Sequence, residues 1–155
     1  AMTADFCSDA LNINDGSGAQ AAICAPGETR NLYKWTSPQS TAQEYGIYVT
    51  YKLPETFKSF ATGSTSLQAV TDSADSSVSY QVYRSNASGL TSCGSAVATS
   101  TGAQTAWQTG TANGSSDPAN CDFSAGDSLV IKILVSSSNS ANAYVGDLGF
   151  TFDNL

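Results

Sequence analysis

From residue 29 onward apolar and polar positions alternate with a period of two, and no window of eleven or more residues carries a helical stripe. The pattern predicts an all-β chain. Tyr45, Ile47, Val49, Tyr51 and Leu53 point one way and Gly46, Tyr48, Thr50 and Lys52 the other, a half-buried strand that Pro54 stops. Val78, Tyr80 and Val82 alternate with Ser79, Gln81 and Tyr83, and the run ends in the turn-forming cluster Ser85-Asn86-Ala87-Ser88-Gly89. Leu129, Ile131, Ile133 and Val135 alternate with Ser128, Val130, Lys132 and Leu134. Apolar side chains on both faces predict a strand at the centre of its sheet. In the closing stretch Tyr144, Leu148, Phe150 and Phe152 fall on one face, opposite Val145, Asp147, Thr151 and Asp153.

Shorter strands are predicted at residues 31–35, 66–71 and 104–108, separated by clusters of Gly, Ser, Asn and Asp. Such spacing predicts an antiparallel sandwich or barrel, and the lack of a repeat of fixed period leaves a single β-sandwich. Residues 92–120 are too weakly patterned to drive burial and read as a long excursion with one short strand near Trp107. Residues 1–28 read as an N-terminal arm or first hairpin, one that could be exchanged between subunits, and residues 29–155 as the β-sandwich domain.

A length of 155 residues suits one domain, large enough to bury about two-thirds of its unfolded surface. Charged residues make up only 12%, while serine and threonine fill forty positions. The surface is therefore polar but weakly charged. Histidine is absent, which excludes Ser-His-Asp and Cys-His nucleophile systems and His-ligated zinc. A formal charge of −7 predicts repulsion from phosphate backbones and anionic lipid, so no nucleic acid partner is expected. No apolar run approaches the roughly 20 residues that span a bilayer, so no membrane insertion is expected.

Cys7, Cys24, Cys93 and Cys121 form an even set with no CxxC spacing. Of three possible pairings, Cys7–Cys24 with Cys93–Cys121 closes the shortest loops. Disulfides would place the chain outside the cytoplasm, and an extracellular or cell-surface location is expected. Two sequons, at Asn86 and Asn113, lie in turn-like stretches where glycans could attach.

The segments Cys121-Asp122-Phe123-Ser124-Ala125-Gly126-Asp127-Ser128-Leu129-Val130-Ile131-Lys132-Ile133 and Ala143-Tyr144-Val145-Gly146-Asp147-Leu148-Gly149-Phe150-Thr151-Phe152 resemble the final hairpin of jelly-roll-like modules on bacterial and phage surface proteins. In those modules a Gly-Asp turn introduces the penultimate strand, and a Tyr-containing loop leads to a last strand whose aromatics face the core. The resemblance covers the last third of the chain and implies a jelly-roll-like, disulfide-stabilised sandwich. It brings no catalytic residues with it.

Candidate chemistry is correspondingly sparse. Glu28, Glu44, Glu55, Asp72, Asp75, Asp117, Asp122, Asp127 and Asp147 offer carboxylate pairs for glycoside hydrolysis, but most adjoin Gly, Ser or Pro and read as turn caps. No catalytic residue, enzyme activity or cofactor is expected. Calcium is the metal best suited to the oxygens of Asp72-Ser73-Ala74-Asp75 or Asn12-Ile13-Asn14-Asp15-Gly16, although neither has the spacing of a full calcium loop. Trp35, Tyr33 and Tyr48 form a candidate glycan platform, and Tyr83 and Trp107 are further aromatic candidates; burial in the core or under a loop is the competing role for all of them. Phe6, Leu11, Ile13 or residues 19–23 could anchor the N-terminal arm in a neighbouring subunit. The expectation is a structural subunit of an extracellular appendage, filament or surface layer. Its partners are copies of itself, joined by strand addition or sandwich packing. The alternative is a carbohydrate-binding or adhesive surface module.

Overall fold

A computed structural model describes residues 1–7, 24 and 29–155. Ten strands run through them: β1 (Met2–Cys7), β2 (Arg30–Thr36), β3 (Gln43–Lys52), β4 (Phe57–Phe60), β5 (Ser66–Asn86), β6 (Gly89–Ala103), β7 (Gln108–Thr111), β8 (Ser128–Ser137), β9 (Asn142–Gly149) and β10 (Phe152–Asn154). Every pairing is antiparallel. The fold is an antiparallel, jelly-roll-like β-sandwich braced by the disulfides Cys7–Cys24 and Cys93–Cys121, the pairing that loop closure favours. The N-terminal anchors Leu11, Ile13 and 19–23, the Asn12–Gly16 motif and Glu28 lie outside the described residues, as does the side chain of Phe6. β1 pairs with β2 of its own chain.

The two sheets share one strand. Residues 66–71 of β5 pair with β9 and β7, whereas residues 76–86 pair with β8 and β6. The first sheet therefore runs β1-β2-β9-β5-β7 and the second β3-β8-β5-β6. At the corner, the β5–β6 register shifts between Ser73 and Ser77, opposite Gly102 with its positive φ of 78°. Bulges of this kind are how strands turn from one layer into another. Residues 66–71 and 78–83, which alternation separates into two strands, are thus one. The intervening Asp72-Ser73-Ala74-Asp75 is a corner rather than a loop.

Between the layers lie Leu67, Ala69, Val78, Tyr80, Val82, Leu129, Ile131, Ile133, Val135, Ala143 and Val145, all buried. β8 is central, with β5 and β3 on its flanks, as its apolar faces predict. One end of the sandwich is closed by Leu53 and by the small β4–β10 sheet: β4 is too short to be read in sequence, and the closing stretch that alternation reads as one strand breaks after Gly149, its end pairing with β4 as β10. Phe57, Phe60, Phe123, Phe150 and Phe152 pack there ring against ring, with centroids 5.1–6.3 Å apart.

Three expectations change. Residues 92–120 are not a long excursion: β6 extends to Ala103, and the short strand begins at Gln108 rather than preceding it. β6 is an edge strand in the second sheet, so few of its side chains face the core and its Ser, Thr and Gly carry little pattern. Its place comes from main-chain pairing with β5 and from Cys93. Second, Tyr144 does not share a face with Leu148. The β5–β9 register shifts between Leu67 and Ala69, which pair with Leu148 and Val145. That extra residue turns Tyr144 to the outside of the first sheet, where it is buried with Cys7, Leu32 and Val70 beneath Cys24 and Trp107. Third, β8 and β9 follow one another but lie in different sheets, so they form no hairpin ladder. The turn at Gly126-Asp127 is present, with Gly126 at φ 81° and the Asp127 carboxylate accepting from Ser124 N at 2.9 Å.

Candidate functional site

β3 ends the second sheet, paired with β8 residue for residue from Gln43–Ser137 to Lys52–Ser128. Opposite the inward Ile133 and Ile131 it places Ile47 and Val49, so its alternation reads correctly. Its tyrosines are less buried than an apolar face suggests, because nothing among the described residues pairs with its other side. Tyr45 is 48% exposed and Tyr51 40%. Tyr45 stacks on Trp35 of the facing sheet at 5.3 Å, and Trp35 Nε1 donates to the Gln43 carbonyl at 3.0 Å. Tyr51 packs on Phe150 and Phe152.

Tyr48 points the other way, out from the second sheet, and is 63% exposed. It stands opposite Lys132, which in turn stands opposite Gln81. The three form a straight row across β3, β8 and β5, about 10 Å long at the usual strand spacing. Lys132 Nζ lies 5.9 Å from the Tyr48 ring centroid, a long cation–π approach. Gly46 makes room for both: a Cβ there would come within 3.3 Å of Tyr48 Cε2 and of Lys132 Cε. Gln81 Nε2 donates to the Gly94 and Cys93 carbonyls of β6 at 2.9 and 3.2 Å, which fixes the amide. Beside the row, Ser79, Gln81, Tyr83, Ala96, Lys132 and Leu134 line a shallow depression of about 190 Å³. The surface offers a ring face beside an ammonium group and, two strands away, an amide whose N–H groups are given to β6.

The three platform candidates do not converge. Tyr33 and Trp35 pair with Val145 and Ala143, on the inner side of the first sheet, while Tyr48 is on the outer side of the second. Tyr33 is 47% exposed, and Trp35 is a half-buried bridge between layers. Trp107 is a cover. It lies against Gly146, where a Cβ would come within 2.9 Å of its ring, and under the Arg30 guanidinium at 4.4 Å. Alternation puts Tyr48, Tyr83, Lys132 and Gln81 on outward positions. What sequence reasoning missed is that the strand order aligns three of them.

Asp72, Asp75, Asp117 and Asp127 are occupied by backbone and amide donors. Asp72 accepts from Asn142 N and Nδ2 at 2.8 and 2.7 Å, and Asp75 accepts from Asn139 Nδ2 at 3.3 Å. Asp117, buried, accepts from Gly63 N and Ala119 N at 2.8 and 3.0 Å. Asp147 faces Arg30 at 3.6 Å. Among the described residues no three His, Cys, Asp or Glu gather as metal ligands. Of the sequons, Asn86 closes the β5–β6 hairpin, its Oδ1 accepting from Ser88 N, and Asn113 is exposed ahead of a short 3-10 turn. No helix among the described residues is long and apolar enough to cross a membrane.

No protein family and no curated protein sequence matches the chain. It is similar over 97% of its length to a solved structure reported under "Structural basis for the promiscuous specificity of the carbohydrate-binding modules from the beta-sandwich super family", with a TM-score of 0.51 and 11% identity. The match spans 54% of that chain, about half its length. At this identity the likeness concerns the sandwich fold alone. A looser similarity, TM-score 0.41 and 14% identity over 80% of this chain and 33% of the other, is to a structure of infectious bursal disease virus Gt strain.

Proposed function

We infer that the chain is a non-enzymatic recognition module that works outside the cytoplasm and binds carbohydrate on the outer face of its second sheet. The observation that carries this reading is the row Tyr48, Lys132 and Gln81, with Tyr48 63% exposed at its open end. A pyranose laid on the Tyr48 ring would desolvate its apolar C–H face, while its hydroxyls would reach the Lys132 ammonium, and a further sugar unit would extend toward the depression beside Tyr83. The likeness in fold to carbohydrate-binding modules supports the reading, and two disulfides support an oxidising compartment. A shallow, solvent-open site of this size suits affinities in the micromolar to millimolar range, roughly.

Glycan-array screening followed by calorimetry is the test. Tyr48→Ala should weaken binding at least about tenfold, the cost of losing one well-placed ring. Tyr33→Ala, on the other sheet, should leave binding unchanged. Binding that survives Tyr48→Ala, or no binding to any glycan at millimolar concentration, would reject the reading.

A structural subunit assembled from copies of the chain is the second reading. It draws on a different observation, the unpaired side of β3 among the described residues.

A further inference from the structure

Edge strands of soluble proteins are commonly short, bulged, interrupted by proline or guarded by an inward charge, because their free N–H and C=O groups recruit other strands. β3 has none of these guards. It is ten residues long, contains no proline, keeps one-to-one register with β8 throughout, and directs Tyr45, Ile47, Val49 and Tyr51 inward. Three of the six large apolar side chains exposed among the described residues, Tyr45, Tyr48 and Tyr51, stand on this one strand.

We propose that two copies of this chain join edge to edge through β3, antiparallel about a two-fold axis at Tyr48, so that their second sheets become one continuous sheet. The proposal stands on β3 alone and does not depend on glycan binding.

The partner follows from β3's own sequence. With Tyr48 opposite Tyr48 of the second copy, Glu44 faces Lys52 and Lys52 faces Glu44, so both charges are paired. On the same face Gly46 meets Thr50. On the inner face Tyr45 meets Tyr51 and Ile47 meets Val49, aromatic to aromatic and branched to branched, the cross-strand pairs that stabilise sheets. Moving the axis to Ile47 sets Glu44 against Thr50 and strips Lys52 of its partner. Moving it to Val49 sets Glu44 against Pro54 and Lys52 against Gly46. Centring between residues would oppose inner positions to outer ones. Only the Tyr48-centred register satisfies the charges and both faces together, and such self-complementarity is what an isologous interface requires. The seam is about 33 Å long at the usual rise per residue, narrow for a stable interface, so the dimer should depend on concentration.

Sedimentation velocity on the full chain, from micromolar to millimolar concentration, reads the association. Wild type should pass from monomer to dimer. Glu44→Lys should weaken dimerisation by about tenfold, since it sets two like-charged pairs across the seam, and Lys52→Glu in the same chain should restore it. Register is read by oxidative cross-linking: Tyr48→Cys should form a covalent dimer. Thr50→Cys, four positions out of line with its own copy and beyond the roughly 7 Å limit between Cα atoms, should not. All four substituted side chains are exposed, and circular dichroism checks that each variant keeps the fold. A chain monomeric at millimolar concentration would overturn the proposal, as would open filaments in place of dimers. Cross-linking at Thr50→Cys equal to that at Tyr48→Cys, or a dimer indifferent to Glu44→Lys, would overturn it too.

Discussion

Tyr80 sits between the sheets with its ring buried among Val78, Val82 and the β8 side chains, and its hydroxyl donates to the Gly110 carbonyl at 2.8 Å. Burial, reinforced by the negative charge of Asp117 and opposed by a backbone hydrogen bond from Ala112, pushes its pKa up to about 12. The protonated form is favoured in the folded state. Stability from this residue is therefore intact below pH 10, where an unfolded tyrosine also keeps its proton, and is lost as pH rises through about 12. Urea titrations at pH 9 and pH 12 should differ by on the order of 2 kcal/mol through Tyr80, and Tyr80→Phe should remove much of that difference. An unchanged pH dependence in Tyr80→Phe would assign the alkaline loss elsewhere. At this scale much was legible: Tyr80 inward and Tyr48 outward follow from alternation. Tyr45 and Tyr51 do not follow so simply, because a residue can face inward and still be half exposed when its strand is the last in the sheet. Strand order decides that, and no local pattern carries strand order.

Alternation reveals an element when two sides of a strand meet different surroundings. β8 meets the core on one side and long neighbours on the other, and its positions from Ser128 to Val135 were legible, while Ser136 and the buried Ser137 that complete it were not. β6 faces solvent for most of its length, so its serines and glycines resemble a loop. The corner of β5 was hidden differently. Asp72 and Asp75 look like turn or calcium residues because polar side chains gather where a strand bends. Asp72 grips the start of β9 through Asn142, and the Asp75 carbonyl accepts from Ser138 N at the end of β8. The corner is thereby tied to the connection where the chain itself passes from the second sheet to the first. Asp72→Ala should lower unfolding free energy by about 1 kcal/mol, and Asp72→Asn, which keeps an acceptor for Asn142 N, by less. Equal losses in the two variants would show that charge, rather than the acceptor, does the fastening.

For the whole molecule, each disulfide closes a modest loop, separated by 17 and 28 residues, and contributes about 3 kcal/mol in the chain-entropy account. Neither crosses between layers as β5 does. In a sandwich whose sheets are joined only by loops, one layer can loosen while the other persists. Here the same strand supplies an interior member to both: Val70 in the first sheet and Val82 in the second belong to one unbroken run of backbone. Native-state amide exchange should therefore find Val70 and Val82 protected to within about 1 kcal/mol of one another, both released only by complete opening. A molecule so threaded resembles a garment sewn with a single stitch. Loosening in one layer is expected to carry through that stitch into the other.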